Sequence, residues 1–253
     1  MAAVSKACCV IPPVISQGYQ AKGEYKTLDG LQTYITGPPE AAHAILIIYD
    51  IFGFSPQILQ GADLMATADT HREYRVFMPD FFEGSPADGS WFASQSNEAQ
   101  QKVGNFFQTK AAPPRTLSKI PGVIEDANKL SLESNTVFST WAIMGYCWGG
   151  KVANLTLKSP TAFKVAAQLH PAMLDPEDAK NVDVPMVLLA SKDEDQNAVE
   201  KYKNNLHPVH HVETIPTQIH GWMAARADLK DTEVGKEYQR GYKTVLKFFH
   251  QYL

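Results

Sequence analysis

Short apolar runs alternate with longer stretches of helical periodicity along almost the whole chain. Five runs read as strands, at residues 44–49, 74–78, 139–144, 165–169 and 184–190. Several are apolar without polar alternation, as expected of strands buried on both faces of a largely parallel sheet. Between them the spacing predicts helices at about 56–69, 95–109, 115–132, 148–158 and 197–206. A last helix over 231–251 carries Val234, Tyr238, Tyr242, Val245, Phe248 and Phe249 on one face. Alternation of this kind predicts an α/β fold, a mostly parallel central sheet with helices on both faces. One domain is expected over 1–253, with an irregular N-terminal extension over 1–25. The pair Pro113-Pro114 reads as a helix break and not a linker, because the alternation continues through it.

Composition narrows the partners more than the fold. Hydrophobic residues make up 44% of the 253 positions and charged residues 20%, which suits a globular chain able to bury a sizeable core. Lys plus Arg is 23 and Asp plus Glu is 27, so the net charge is −4 and no basic surplus advertises a nucleic-acid surface. The three cysteines, Cys8, Cys9 and Cys147, are odd in number and do not suggest a disulfide framework. The apolar run 7–11 stops at Pro12-Pro13, too soon for a secretion signal, and no stretch approaches the roughly 18 apolar residues of a membrane span. Ala2 and the ending Gln251-Tyr252-Leu253 carry no lipidation or peroxisomal signal. The expectation is a cytoplasmic protein, monomer or homodimer, whose partner is a small-molecule substrate rather than nucleic acid or membrane.

The sharpest chemical signal is Gly145-Tyr146-Cys147-Trp148-Gly149-Gly150, between a predicted strand and a predicted helix. It matches the nucleophile elbow G-x-S-x-G with cysteine in the serine position. The glycines let strand and helix close around a strained turn, and the helix N-terminus stabilises thiolate and oxyanion alike. An elbow is followed in chain order by an acid and then a histidine. The acidic loop Asp193-Glu194-Asp195 follows the strand at 184–190, and His220 lies beyond the next strand candidate. Asp193 is the expected acid, with Asp195 its main rival, and His220 the expected base.

Four segments together carry a family resemblance: Gly145-Tyr-Cys-Trp-Gly-Gly150, Asp50-Ile-Phe-Gly53, Met78-Pro-Asp80 and Ile219-His220-Gly221. From about residue 30 to 251 the chain resembles the dienelactone hydrolase family of α/β-hydrolases, and Cys8-Cys9 with the segment 33–37 look like its fungal branch. The resemblance implies the α/β-hydrolase fold, Cys147 as nucleophile, Asp193 and His220 as acid and base, and no cofactor. It also implies an oxyanion hole from the backbone N–H groups of Ile51 and Trp148. Where the family places a glutamate against the resting thiol, this chain has Asp50, one methylene shorter. Two arginines that hold the substrate carboxylate in the bacterial enzymes are replaced by Gly84 and Ala224, and the nearest arginine, Arg226, is expected to point elsewhere.

Phe81, Phe82 and Trp222 are candidates for an apolar pocket wall, with Trp91 and Phe92 as further aromatics nearby. The expected substrate is therefore a larger, neutral ester or lactone. His207, His210 and His211 cluster in one run but lack the further ligands of a metal site, so no metal is expected. Two other readings stay open: a non-hydrolytic isomerase, dehydratase or acyl transferase on the same Cys-His pair, and a redox-sensing thiol protein without enzymatic activity.

Overall fold

The structure is a computed structural model and describes residues 13–14, 18–93, 96–158 and 160–253. Among the described residues, eight strands form one sheet: β1 (Glu24–Leu28), β2 (Leu31–Thr36), β3 (His43–Ile48), β4 (Tyr74–Pro79), β5 (Thr140–Tyr146), β6 (Phe163–Leu169), β7 (Met186–Ser191) and β8 (His210–Ile215). Their order is β1-β2-β4-β3-β5-β6-β7-β8, antiparallel for the β1–β2 and β2–β4 pairs and parallel for all others. The five strands predicted from apolar runs are β3 to β7, and residues 44–48 of β3 and 142–144 of β5 have no exposed surface. Complete burial explains their continuous apolar sequence, since helices cover both faces.

The helices are α1 (Pro56–Thr67), α2 (Ser90–Ala93), α3 (Asn97–Gln108), α4 (Pro113–Leu117), α5 (Ile120–Glu133), α6 (Trp148–Thr156), α7 (Gln196–Asn205) and α8 (Thr232–Tyr252), with a 3-10 turn at Pro176–Asn181. The long helix expected over 115–132 is two helices. Pro113 and Pro114 mark the expected break after α3 by opening α4, and Pro121 stands in the first turn of α5. Proline is at ease there because first-turn N–H groups have no intrahelical partner. Helix α8 buries Tyr238, Tyr242, Val245, Leu246, Phe248 and Phe249, which is the stripe predicted from spacing with Leu246 added and Val234 only half-buried.

The β1–β2 hairpin is not among the elements the apolar pattern predicts. Asp29 and Gly30 form its two-residue loop, with φ of 46° and 74°, and positive φ at both positions is the type I′ geometry that Asp-Gly favours. No helix among the described residues is long and apolar enough to cross a membrane. Cys8 and Cys9 lie outside the described residues.

Candidate active site

The chemistry-bearing residues gather where the parallel strands end. Cys147 joins β5 to α6 with φ 52° and ψ −116°, a strained backbone for a residue with a side chain. Sterics dictate the glycines around it. A Cβ on Gly145 would stand 2.1 Å from the Gly149 carbonyl oxygen, and one on Gly149 would stand 2.2 Å from that of Ile48. The turn is tied to the next strand by hydrogen bonds: the Cys147 amide donates to Leu169 O at 3.0 Å, and the Ala172 amide donates to Cys147 O at 3.0 Å. Cys147 is a buried thiol, 1% exposed.

His220 is fully buried beside it. Its Nδ1 meets Glu194 Oε1 at 2.6 Å, and the other Glu194 oxygen accepts the Ser191 amide. The other ring nitrogen, Nε2, is buried without a hydrogen-bond partner among the described residues, while the Cys147 thiol is near enough to bear on the charge of the ring. Burial alone would lower the pKa of His220. The neighbouring Cys147, joined by Glu194, outweighs burial and raises it to about 10.

The expectation for the acid needs correction. Asp193 does not reach the imidazole: its Oδ2 accepts the backbone N–H of His220 at 2.9 Å. Asp195 caps α7, accepting the amides of Asn197 and Ala198 at 2.9 and 3.4 Å. Glu194 alone of the three turns inward, at 4% exposed, and its extra methylene spans from the turn to the ring. Nothing in a run of three carboxylates marks which one turns in.

Asp50 is buried at the end of β3 and coupled electrostatically to Cys147. Its oxygens accept the amides of Phe52 at 2.9 Å and Ala225 at 3.2 Å, so it also stitches β3 to the loop after His220. Burial and the neighbouring Cys147 raise its pKa to about 6, against the opposing pull of those amides and of Arg226. Ile51 follows Asp50, and Trp148 is the first residue of α6, a position whose N–H lacks an intrahelical partner.

Arg226 does not point away as expected. It is 2% exposed, its Cζ lies 5.1 Å from the centroid of the Phe52 ring, and its stem fills the space a Cβ on Gly221 would take. Gly221, at φ +95°, directly follows His220, so the arginine passes beside the base. The expected pocket aromatics are core residues. Phe82 packs on Trp148, Tyr49 and Phe106 at centroid distances of 4.7, 5.0 and 5.0 Å. Phe81 meets Tyr49, and Trp222 abuts Gly241 of α8. Sequence reasoning misses a half-buried aromatic at the site, Phe52, although it adjoins Ile51. It also misses His170, whose signal is a polar residue directly after a parallel strand, where such folds build their sites. His211 pairs with Glu213 at 3.3 Å and His210 with the Pro208 carbonyl at 2.9 Å.

A mostly parallel sheet whose fifth strand ends in this strained Gly-x-Cys-x-Gly turn, with a histidine and a buried carboxylate on later strand ends, defines an α/β-hydrolase. The chain belongs to the dienelactone hydrolase family, whose model matches residues 31–253, and so to the hydrolases of esters and lactones. It is 34% identical over 242 residues to an uncharacterised AIM2 family protein of Schizosaccharomyces pombe, covering 93% of this chain and 94% of that protein. The hydrolase pyvD of Aspergillus violaceofuscus is 25% identical over 268 residues, covering 100% of this chain and 99% of its own. Among solved structures, dienelactone hydrolase from Anabaena variabilis superposes with a TM-score of 0.63 at 13% identity, over 92% of this chain and 98% of that one.

Proposed function

We propose that the protein hydrolyses activated esters or lactones through Cys147, with His220 as base and Glu194 as the carboxylate that orients it. The Glu194–His220 contact beside the buried thiol carries this reading. Glu194 fixes the proton of His220 on Nδ1, leaving Nε2 to draw the thiol proton. The raised pKa of His220 favours an imidazolium–thiolate pair, which is ready to attack a carbonyl carbon. The C–S bond forms, and the amides of Ile51 and Trp148 receive the oxyanion. The C–O bond then breaks as His220 returns the proton to the leaving oxygen. Water, deprotonated by His220, cleaves the thioester and regenerates the thiol.

Thiolate departs more readily than a simple alkoxide, so a tetrahedral adduct of an unactivated ester falls back to reactants. Enol lactones, aryl esters and thioesters avoid this. The substrate is neutral and larger than dienelactone. Gly84 and the buried Ala224 offer no charge, and the charge of Arg226 lies in the field of Asp50. The half-buried Phe52, packed edge-to-face on Phe92 at 5.2 Å, is the aromatic placed to meet an acyl or ring group.

Cys147→Ala should abolish the burst and turnover of a p-nitrophenyl ester while thermal unfolding stays cooperative. Turnover at the parent rate would remove Cys147 from the mechanism, and a product isomeric with the substrate would favour the isomerase reading. Efficient hydrolysis of dienelactone, lost in Arg226→Ala, would show that Arg226 holds a carboxylate and would refute the neutral substrate.

A further inference from the structure

The hydrolase mechanism leaves a second buried histidine without a role. His170 directly follows β6, has no exposed surface, and holds φ at +38°. Its ring meets that of His220 edge to face at 5.3 Å between centroids, and that of Tyr146 at 5.9 Å. Its chain neighbours tie it to the Cys147 backbone, because Leu169 O accepts the Cys147 amide and the Ala172 amide, two residues on, donates to Cys147 O. Neither Nδ1 nor Nε2 of His170 has a hydrogen-bond partner among the described residues. Buried polar side chains are almost always paired, so two orphaned nitrogens beside a catalytic pair call for a ligand group. Burial, reinforced by the nearby charges of His220 and Arg226, lowers the pKa of His170 well below the usual histidine range. The ring is neutral, with one N–H to give and one lone pair to receive.

Strand order decides which part of a substrate it meets. β5, which ends at the thiol, lies between β3 and β6. Ile51 follows β3 on one side, while His170, Glu194 and His220 follow β6, β7 and β8 on the other. A tetrahedral adduct on Cys147 whose oxyanion faces the Ile51 amide directs its leaving oxygen toward the histidines.

We propose that His170 is a catalytic residue that donates its N–H to the leaving oxygen of the ester or lactone. The proposal rests on the cysteine-hydrolase reading. As the C–O bond breaks, its electron pair moves to the leaving oxygen, which takes the proton of His220. His170 keeps its own proton and lends only the hydrogen bond. A neutral imidazole can polarise an oxygen in this way without losing its proton, as it does toward the substrate carbonyl in triosephosphate isomerase. It also offsets the weakness of a cysteine enzyme, because stabilising the departing oxygen favours forward collapse over expulsion of thiolate.

The test is acylation of the enzyme by a series of esters with one acyl group and leaving alcohols running from p-nitrophenol through phenol to ethanol. His170→Phe should lose about 10- to 100-fold on the ethyl ester but only a few-fold on the p-nitrophenyl ester, steepening the dependence on leaving-group basicity. His170→Asn, which keeps an N–H donor and tolerates the left-handed backbone, should recover part of that loss. Equal loss across the series, or none, would reduce His170 to packing and overturn the proposal. If the phenylalanine variant does not fold, His170→Gly suits the backbone, and added imidazole should restore the ethyl ester selectively; no selective rescue overturns it equally. A parent that shows no burst with any ester would overturn the hydrolase reading, and this one with it.

Discussion

Two strand-end loops build the site by opposite means. The turn from β5 into α6 is fixed by contact: backbone oxygens lie where the Cβ atoms of Gly145 and Gly149 would go, and Cys147 takes a strained φ as a result. The turn from β7 into α7 contains no such constraint. Its three consecutive carboxylates are sorted by hydrogen bonds, Asp193 to the His220 backbone, Glu194 to the His220 ring and Asp195 to the helix end. Steric turns tolerate one residue type at each position, whereas a hydrogen-bonded turn assigns roles by reach and direction. Substitutions should therefore fail abruptly in the first loop and by degrees in the second.

The largest effect is expected at Gly149. Its missing Cβ faces the carbonyl oxygens of Ile48 and Tyr49 at 2.2 and 2.5 Å, backbone atoms at the end of β3 that cannot move aside. Gly149→Ala should cost more than about 4 kcal/mol and leave little soluble protein. Gly104 in α3, with nothing within 4 Å of its Cβ position, provides the contrast: Gly104→Ala should stabilise by about 0.5–1 kcal/mol. Urea melts decide both. A soluble Gly149→Ala with parent stability would remove the steric account of the elbow.

The acidic loop should respond in steps. Glu194→Gln removes the charge that orients and stabilises protonated His220, and should lower ester turnover by about 10³–10⁴, as loss of the orienting carboxylate does in the serine-protease triad. Asp193→Asn retains an oxygen for the His220 amide and should stay within about tenfold, since a hydrogen bond of this kind contributes about 0.5–1.5 kcal/mol. Asp195→Ala should cost about 1 kcal/mol of stability through the lost cap, with little effect on rate. A larger rate loss for Asp193→Asn than for Glu194→Gln would return the acid to the position expected from the sequence.

The same contrast explains what the sequence discloses. Steric requirements leave residue types behind, so the elbow, Cys147 and the strands buried on both faces are legible from glycine spacing and unbroken apolar runs. His220 is legible from its order after the elbow. Glu194 is not, because a turn of three acids carries no mark of which side chain faces inward. Nor is the burial of Arg226, whose route past Gly221 depends on a loop conformation with no periodic signature. The β1–β2 hairpin escapes for another reason. Four of the five β1 residues are exposed or half-buried, so apolar alternation is weak, and only Asp29-Gly30 marks the turn. Phe82 and Trp222 are misplaced because an aromatic near a strand end serves core and pocket equally well by sequence.

Asp50 tests how the elbow accommodates a carboxylate that no solvent relieves. Its pKa rises from 3.8 to about 6 through burial and the adjacent Cys147, and the coupling is reciprocal: a charged Asp50 opposes formation of the thiolate. Asp50→Asn should therefore move the pH midpoint of Cys147 alkylation by iodoacetamide to lower pH and speed the reaction a few-fold near pH 6–7. The stability effect has a defined sign. The folded state holds the Asp50 proton more tightly than the unfolded chain, so this contribution is complete below pH 3.8 and is lost as pH rises through about 6. A shift from 3.8 to about 6 corresponds to ~3 kcal/mol of this pH dependence. Asparagine carries none of it and keeps an acceptor for only one of the Phe52 and Ala225 amides, a cost that does not vary with pH. Relative to the parent, the variant should thus gain stability between pH 4 and pH 7 in urea melts. An unchanged alkylation midpoint together with parallel stability profiles would show that Asp50 only stitches β3 to the loop after His220.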